Sequence, residues 1–352
     1  MNSPYRPPAR VALGPLLLIA LVIAVVAALF AYTAGWLSPE RITPNKVVAA
    51  LAPPGGPSLG HRRNHAKGSC FTGIFEANGA GSDLSEAPML RLGQYPIIGR
   101  FNLATADFKA ADPTVRVRGM GLQIAAPDGQ LWRMAMIDAP FFPVSTPPIF
   151  YGLLRASASK EPDAMKNFVG AHPEVAHFGA WAQSAPWTGS YAEESYNSLN
   201  SFVFTNAAGA ATVVRWSLLP AAHPESVPPD ELAKRGPDFL EQEITQRIKS
   251  GTLRWTLVIR VAAAGDPTAD PSQAWPETRR AVDVGILTVQ NIEPEANGPC
   301  RDINYDPTIL PKGVGTSDDP FPAARSSAYR RSYDLRTAEA AYYPATGPEA
   351  TP

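Results

Sequence analysis

Residues Arg116–Ile137 read RVRGMGLQIAAPDGQLWRMAMI. The first part, to Ala125, alternates apolar and small or polar residues with the period of a strand. Pro127-Asp128-Gly129 then supplies a turn: proline presets φ, aspartate bonds back to the backbone, and glycine accepts positive φ. Leu131–Ile137 resumes the alternation, so the stretch predicts a β-hairpin. Working outward, Ser69–Ala77 (SCFTGIFEA), closed by Asn78-Gly79, and Ile97–Ala104 predict earlier strands. Ser201–Thr205 and Ala211–Leu218 flank Asn206-Ala207-Ala208-Gly209 as a second hairpin, and Leu253–Val261 (LRWTLVIRV) alternates around Trp255 and Leu257. Helical patterns fall in Ile149–Ala156, Asp163–Ala171, Pro173–Ala182 and Pro229–Ser250. Hairpin strands with segregated helices predict an α+β fold around an antiparallel sheet, with enough strands to close a barrel.

Composition narrows the function. The 352 residues carry 31 Lys+Arg against 32 Asp+Glu, and a net charge of −1 excludes the electrostatic attraction that drives nucleic-acid binding. A 45% hydrophobic content supports a sizeable core, while 37 Pro and 27 Gly argue against a helical bundle. Two cysteines, Cys70 and Cys300, exclude a cysteine-rich scaffold and a cysteine zinc site. A disulfide between them and two separate buried thiols both stay open. After Arg6 and Arg10, Val11–Leu37 carries no charged side chain and is long enough to cross a bilayer. A cleaved signal peptide is the alternative, but its apolar core is shorter, about 7–15 residues. The arginines place residues 1–10 in the cytoplasm and the rest outside it, in the periplasm of a Gram-negative cell. The expected order is a transmembrane anchor at 11–37, a proline-rich linker at 38–59 with a helical turn or two, a folded domain at 60–340 and a flexible tail at 341–352.

Few residues announce chemistry by themselves. His172, His177 and His223 have no carboxylate at metal-protease spacing and are assigned to surface or packing. His61 and His65 lie in a basic loop, His61-Arg62-Arg63-Asn64-His65-Ala66-Lys67-Gly68, ahead of the first strand. No glycine-rich phosphate loop, serine elbow or carboxylate pair stands out. The residues alone describe a membrane-anchored extracytoplasmic α+β domain.

A set of motifs in order goes further. Asn64-His65-Ala66-Lys67-Gly68, followed by Phe71-x-Gly73-x-Phe75-Glu76, resembles the region around the essential distal histidine of haem catalases. Arg100-Phe101, then Thr114-Val115-Arg116-Val117-Arg118-Gly119, resemble the strand pair over the haem. Pro140-Phe141-Phe142 with Phe150 resembles the segment after the hairpin. Tyr305-Asp306-Pro307 and Leu310-Pro311-x-Gly313 resemble the lead-in to the proximal helix, and Arg325, Tyr329 and Arg336 repeat its spacing. Between Gly60 and Arg336 the chain is similar to the small catalase-related peroxidases, which implies a catalase-like antiparallel β-barrel binding b-type haem.

The resemblance implies roles that the chemistry supports. Tyr329 would ligate ferric iron as a phenolate, the catalase option among haem proteins, with Arg325 one helical turn away stabilising the anion. Arg62, Arg100 and Arg336 would hold the haem propionates by charge-assisted pairing, and Phe150 would stack over the distal edge. His65 would move a proton between the two peroxide oxygens. The departures bear on activity. The family's distal asparagine falls on Ile137, which cannot hydrogen-bond peroxide, and polar Asn64 and Asn102 stand where valine and serine are usual. Tyr333 takes the place of a histidine common one turn past the ligand. The expected activity is reduction of H2O2 and organic hydroperoxides by an organic electron donor in oxidative-stress defence, with weak catalase turnover. Rearrangement of fatty-acid hydroperoxides, as in allene oxide synthase-like relatives, is the alternative, and a non-enzymatic haem carrier is disfavoured by His65. The lipid bilayer is the expected partner of the N-terminal helix, and a homodimer or larger homo-oligomer stays open.

Overall fold

The computed structural model describes residues 9–36, 38 and 41–339. Residues 1–8, Leu37, Pro39, Glu40 and 340–352, with the expected tail at 341–352, lie outside the described residues. The chain divides into two units, residues 1–43 and 44–352.

The first unit is built on one helix, α1 (Ala9–Thr33). Its segment Leu13–Thr33 has 21 apolar-rich residues, none of them buried. At 1.5 Å per residue it measures about 30 Å, the thickness of a bilayer's hydrocarbon core. The helix ends at Thr33, short of Leu37, where the threonine hydroxyl donates to the carbonyls of Leu29 and Phe30. Just beyond, Trp36 meets Phe30 edge-on at 5.6 Å and carries the Arg41 guanidinium 5.8 Å from its ring.

The second unit begins with α2 (Pro44–Ala50), so the helical turns expected in a linker belong instead to the folded unit, where Val48 is buried. A meander follows: β1 (Gly68–Ala77), β2 (Gly93–Leu103), β3 (Arg118–Ala125) and β4 (Leu131–Ile137). Three helices come next, α3 (Pro147–Ser157), α4 (Ala164–Ala171) and α5 (Pro173–Ser184). They lead to β5 (Tyr196–Asn197), β6 (Phe202–Thr205) and β7 (Ala211–Pro220). The predicted helix Pro229–Ser250 is two, α6 (Pro229–Leu232) and α7 (Phe239–Ser250). Gly236 at φ 92° and the following Pro237 break it, since neither continues a helix. Then come β8 (Leu253–Val261), β9 (Ala281–Pro294), β10 (Val314–Thr316) and the terminal helix α8 (Phe321–Ala338). α2 packs on α8.

β1 pairs with both β2 and β9, and β7 pairs with β5 and also with β8. The strands β1-β2-β3-β4-β5-β7-β8-β9 therefore close an eight-stranded antiparallel barrel, with β6 and β10 continuing outside the ring along β7. Closure removes the exposed edges that an open sheet would present. β9, the longest strand, has no clear strand signature in the sequence, because Asp283, Gln290 and Asn291 interrupt its apolar pattern.

Aromatic rings fill the barrel. Phe101 on β2 is fully buried, with its ring 4.6 Å from Phe71, 5.2 Å from Tyr191 and 5.8 Å from Trp255. A second group joins Trp132, Trp216, Phe202 and Phe204. Phe101 bridges β1, β2 and β8, so truncation leaves a cavity that no single neighbour can refill. Phe101→Ala is expected to cost about 3–5 kcal/mol, read as a lowered midpoint in denaturant with an unchanged slope.

Candidate functional site

The ladders β1–β2–β3–β4 line up one row of residues: Gly68 opposite Asn102, Asn102 opposite Gly119, and Gly119 opposite Ile137. Two residues along, Cys70, Arg100, Gly121 and Ala135 form the parallel row. Residues two apart on a strand share a face, so Arg100, Asn102 and Ile137 lie on one side of the sheet. A Cβ on Gly119 would fall 2.4 Å from Asn102 Oδ1, so glycine there makes room for the amide.

The loop preceding β1 delivers His65 to this row. His65 has φ 55°, a left-handed backbone that costs a non-glycine residue about 1–2 kcal/mol. Three bonds hold it: Arg100 Nη1 donates to the His65 carbonyl at 2.8 Å, the His65 N–H donates to Asn64 Oδ1 at 3.0 Å, and the Ala66 N–H donates to the Thr105 carbonyl at 2.8 Å. His65 Nδ1 lies 2.6 Å from Asn102 Oδ1, while the other end of that amide donates to the Arg100 carbonyl at 3.3 Å. Because Oδ1 only accepts, Nδ1 carries the proton and Nε2 keeps its lone pair. Burial pushes the imidazole down to about 4; the Asn102 bond opposes this, and the charges of Arg100, Arg325 and Arg62 add to it. His65 is thus a neutral base with one nitrogen anchored. Asn64 serves the backbone turn, and Asn102 serves as the anchor.

On α8, Arg325 and Tyr329 are one turn apart. Arg325 Nη2 donates to the Tyr329 hydroxyl at 2.9 Å and to the Ala135 carbonyl of β4 at 2.9 Å. Its Nη1 donates to Asn200 Oδ1 at 2.7 Å, and Asn200 in turn donates to Asp319 at 2.9 Å. The guanidinium is therefore held by the Asn200 amide and the Ala135 carbonyl, with one nitrogen on the phenol.

The other three arginines converge. Arg62 and Arg100 both pair with Glu295, the latter at 2.6 Å. Burial works to raise the Glu295 carboxyl, but the Arg100 and Arg62 charges outweigh it and hold the group below the ordinary value. Arg336, almost wholly buried, donates to the Arg301 carbonyl at 2.5 Å. Phe150 lies 5.5 Å from Phe142, which meets Phe321 at 5.0 Å, so it ties α3 to the start of α8. Sequence reasoning missed Glu295, which lies just beyond the unanticipated β9, and Asn200, whose link to Arg325 spans the fold. It also missed the buried Arg118–Glu194 pair with Thr188 behind the row.

The donor set suits an iron tetrapyrrole bearing carboxylates: a phenol coupled to a permanent cation, a neutral imidazole on a separate element, and a cluster of guanidinium groups. The sequence profile described as Catalase matches residues 58–343. A catalase-related peroxidase of Synechococcus elongatus is 33% identical over 302 residues, covering 84% of this chain and 89% of that protein. A catalase-related peroxidase of Mycolicibacterium paratuberculosis is 32% identical over 303 residues, covering 84% and 95%. A solved bacterial catalase shares the fold, with a TM-score of 0.70 at 20% identity over 84% of this chain, which spans 61% of that structure's chain.

The depressed basicity of His65 has a measurable sign. A histidine in the unfolded chain titrates near 6.5, so as pH falls the unfolded state takes the proton before the folded state does. The contribution of neutral His65 to stability is complete above pH 6.5 and is lost between there and about 4. Denaturant titrations across that range are expected to show a steeper acid loss for the wild type than for His65→Gln. Equal slopes would place the imidazole in solvent.

Proposed function

This chain is a member of the catalase family and a peroxide-acting oxidoreductase, and on that footing we propose that it is a haem-dependent peroxidase reducing H2O2 and organic hydroperoxides. The observation that carries the proposal is the 2.6 Å bond between His65 Nδ1 and Asn102, which leaves Nε2 as a base, taken together with the Tyr329 hydroxyl coupled to Arg325. Tyr329 would hold the iron of b-type haem, and Arg62, Arg100 and Arg336 its propionates. When bound, haem supplies a Lewis-acidic, redox-active iron. His65 Nε2 accepts the proton of the peroxide oxygen that is retained and returns it to the oxygen that departs, as water or alcohol. Two electrons from an organic donor and two protons balance the reduction of ROOH to ROH and water.

Ile137 supports peroxidase over catalase turnover. It occupies the end of the row that carries Asn102 and offers a peroxide no hydrogen bond. At that position a second peroxide serving as reductant finds no polar side chain to orient it, whereas the alkyl tail of an organic hydroperoxide gains about 25 cal/mol per Å² of surface removed from water. The native protein should evolve oxygen from H2O2 weakly while oxidising a dye with an alkyl hydroperoxide. Ile137→Asn should raise oxygen evolution and leave peroxidation similar or lower. Native oxygen evolution at the level of a full catalase, or epoxide and allene oxide products formed without consuming reductant, would overturn the proposal.

His65→Ala is expected to retain haem and to slow its reaction with peroxide by about 10²–10⁴ in stopped-flow mixing, the range for a lost acid–base group. An unchanged rate would remove His65 from the mechanism. The placement of the domain outside the cytoplasm, anchored by the apolar helix, is supported by its disulfide between Cys70 and Cys300, since such bonds persist in oxidising compartments. Defence against peroxide stress at that surface is the role this combination suits.

A further inference from the structure

Three arginines that would face the carboxylates of haem come from three separate elements: Arg62 from the loop before β1, Arg100 from β2 and Arg336 from α8. Like charges brought together repel, so a further feature must hold the cluster in place. That feature is the segment Glu295–Ile303. Its first residue is the carboxylate shared by Arg62 and Arg100. Its last turn presents the carbonyls of Cys300, Arg301 and Ile303 to Arg62 Nη2, at 3.1, 3.3 and 3.1 Å, and those of Arg301 and Ile303 to Arg336.

The segment is tied to the barrel at its two ends. The β1–β9 ladder ends at Ser69 opposite Pro294, one residue before Glu295, and the next tie on the far side is Arg133 donating to the Asn304 carbonyl at 2.9 Å. Between these points the backbone bonds are local turns, such as Arg301 N–H to the Gly298 carbonyl and Ile303 N–H to the Cys300 carbonyl. The covalent tie is the disulfide from Cys300 to Cys70, with a Cα–Cα distance of 5.3 Å. Cys70 stands directly opposite Arg100 in the β1–β2 ladder, so the bond fastens the segment at the level of the arginines. The seat is tight: a Cβ on Gly298 would fall 2.5 Å from Cys70 Sγ, and Tyr305 packs with both cysteines in a fully shielded pocket of the core.

We infer that the Cys70–Cys300 disulfide is a positioning element for the cofactor: it straps Glu295–Ile303 across the arginines so that Arg62, Arg100 and Arg336 are set for the carboxylates of bound haem. The inference rests on the haem reading above. Retention of the cofactor, and not only global stability, then depends on the strap.

The test uses the ferric holoprotein and reads transfer of haem to excess apomyoglobin, at a temperature well below unfolding, together with the ferric/ferrous midpoint potential. Cys70→Ala/Cys300→Ala is expected to release haem at least about tenfold faster. Its potential should fall, because propionate charge left without its cations favours ferric iron. Ile244→Ala, a buried change on α7, controls for lost stability and should lower the melting temperature without moving either readout. If the double-alanine variant does not fold, Cys70→Val/Cys300→Ala, which refills the buried pocket without the bond, gives the same comparison. Release rates within twofold of the oxidised wild type would overturn the strap while leaving the cofactor reading intact. A wild-type protein that takes up no haem would overturn both.

Discussion

Asn102 stands opposite Gly119 and Gly119 opposite Ile137, and a slip of one residue in either ladder would turn all of them to the other face of the sheet. The register of β1 to β4 thereby decides whether His65 has an anchor. It also sets Ala135 where its carbonyl meets Arg325, which links the barrel wall to α8. The aromatic packing around Phe101 protects that register, because the residue between Arg100 and Asn102 faces the barrel interior while its neighbours face the site. One strand therefore carries both the core and the chemistry.

Charge is managed by the same economy of parts. Four arginines approach the site, and they are satisfied in three ways: Arg62 and Arg100 by Glu295, Arg336 by backbone carbonyls, Arg325 by Asn200, Ala135 and the Tyr329 hydroxyl. Buried guanidinium groups without such partners would be costly. Burial, with the fields of Arg100, Arg325 and Arg62 added, is what keeps His65 neutral. A group meant to accept a proton must be unprotonated at working pH, so the cations beside the imidazole serve the base we propose as well as the cofactor carboxylates we propose they hold.

Much of this was legible in local pattern. The hairpin Arg116–Ile137 formed as β3 and β4 because alternation and turn chemistry are properties of neighbouring residues. Arg325 and Tyr329 could be placed on one helix face from their spacing alone. Two local readings failed for local reasons: Gly236-Pro237 split the long helix before α7, and polar interruptions hid β9. Asn102 was noted as an unusual residue, but its bond to His65 depends on a loop and a strand 37 residues apart in the chain.

The sequence by itself determined the β3–β4 hairpin, the apolar N-terminal helix and the order of motifs that marks the family, since each depends on residues a few positions apart. Only the tertiary structure decided closure of the barrel through β7 and β8, the pairing of Cys70 with Cys300 across 230 residues, and the meeting of Arg62 and Arg100 on Glu295. These are contacts between distant segments. Their partners are selected by register and packing of the whole barrel, which no window of the chain contains.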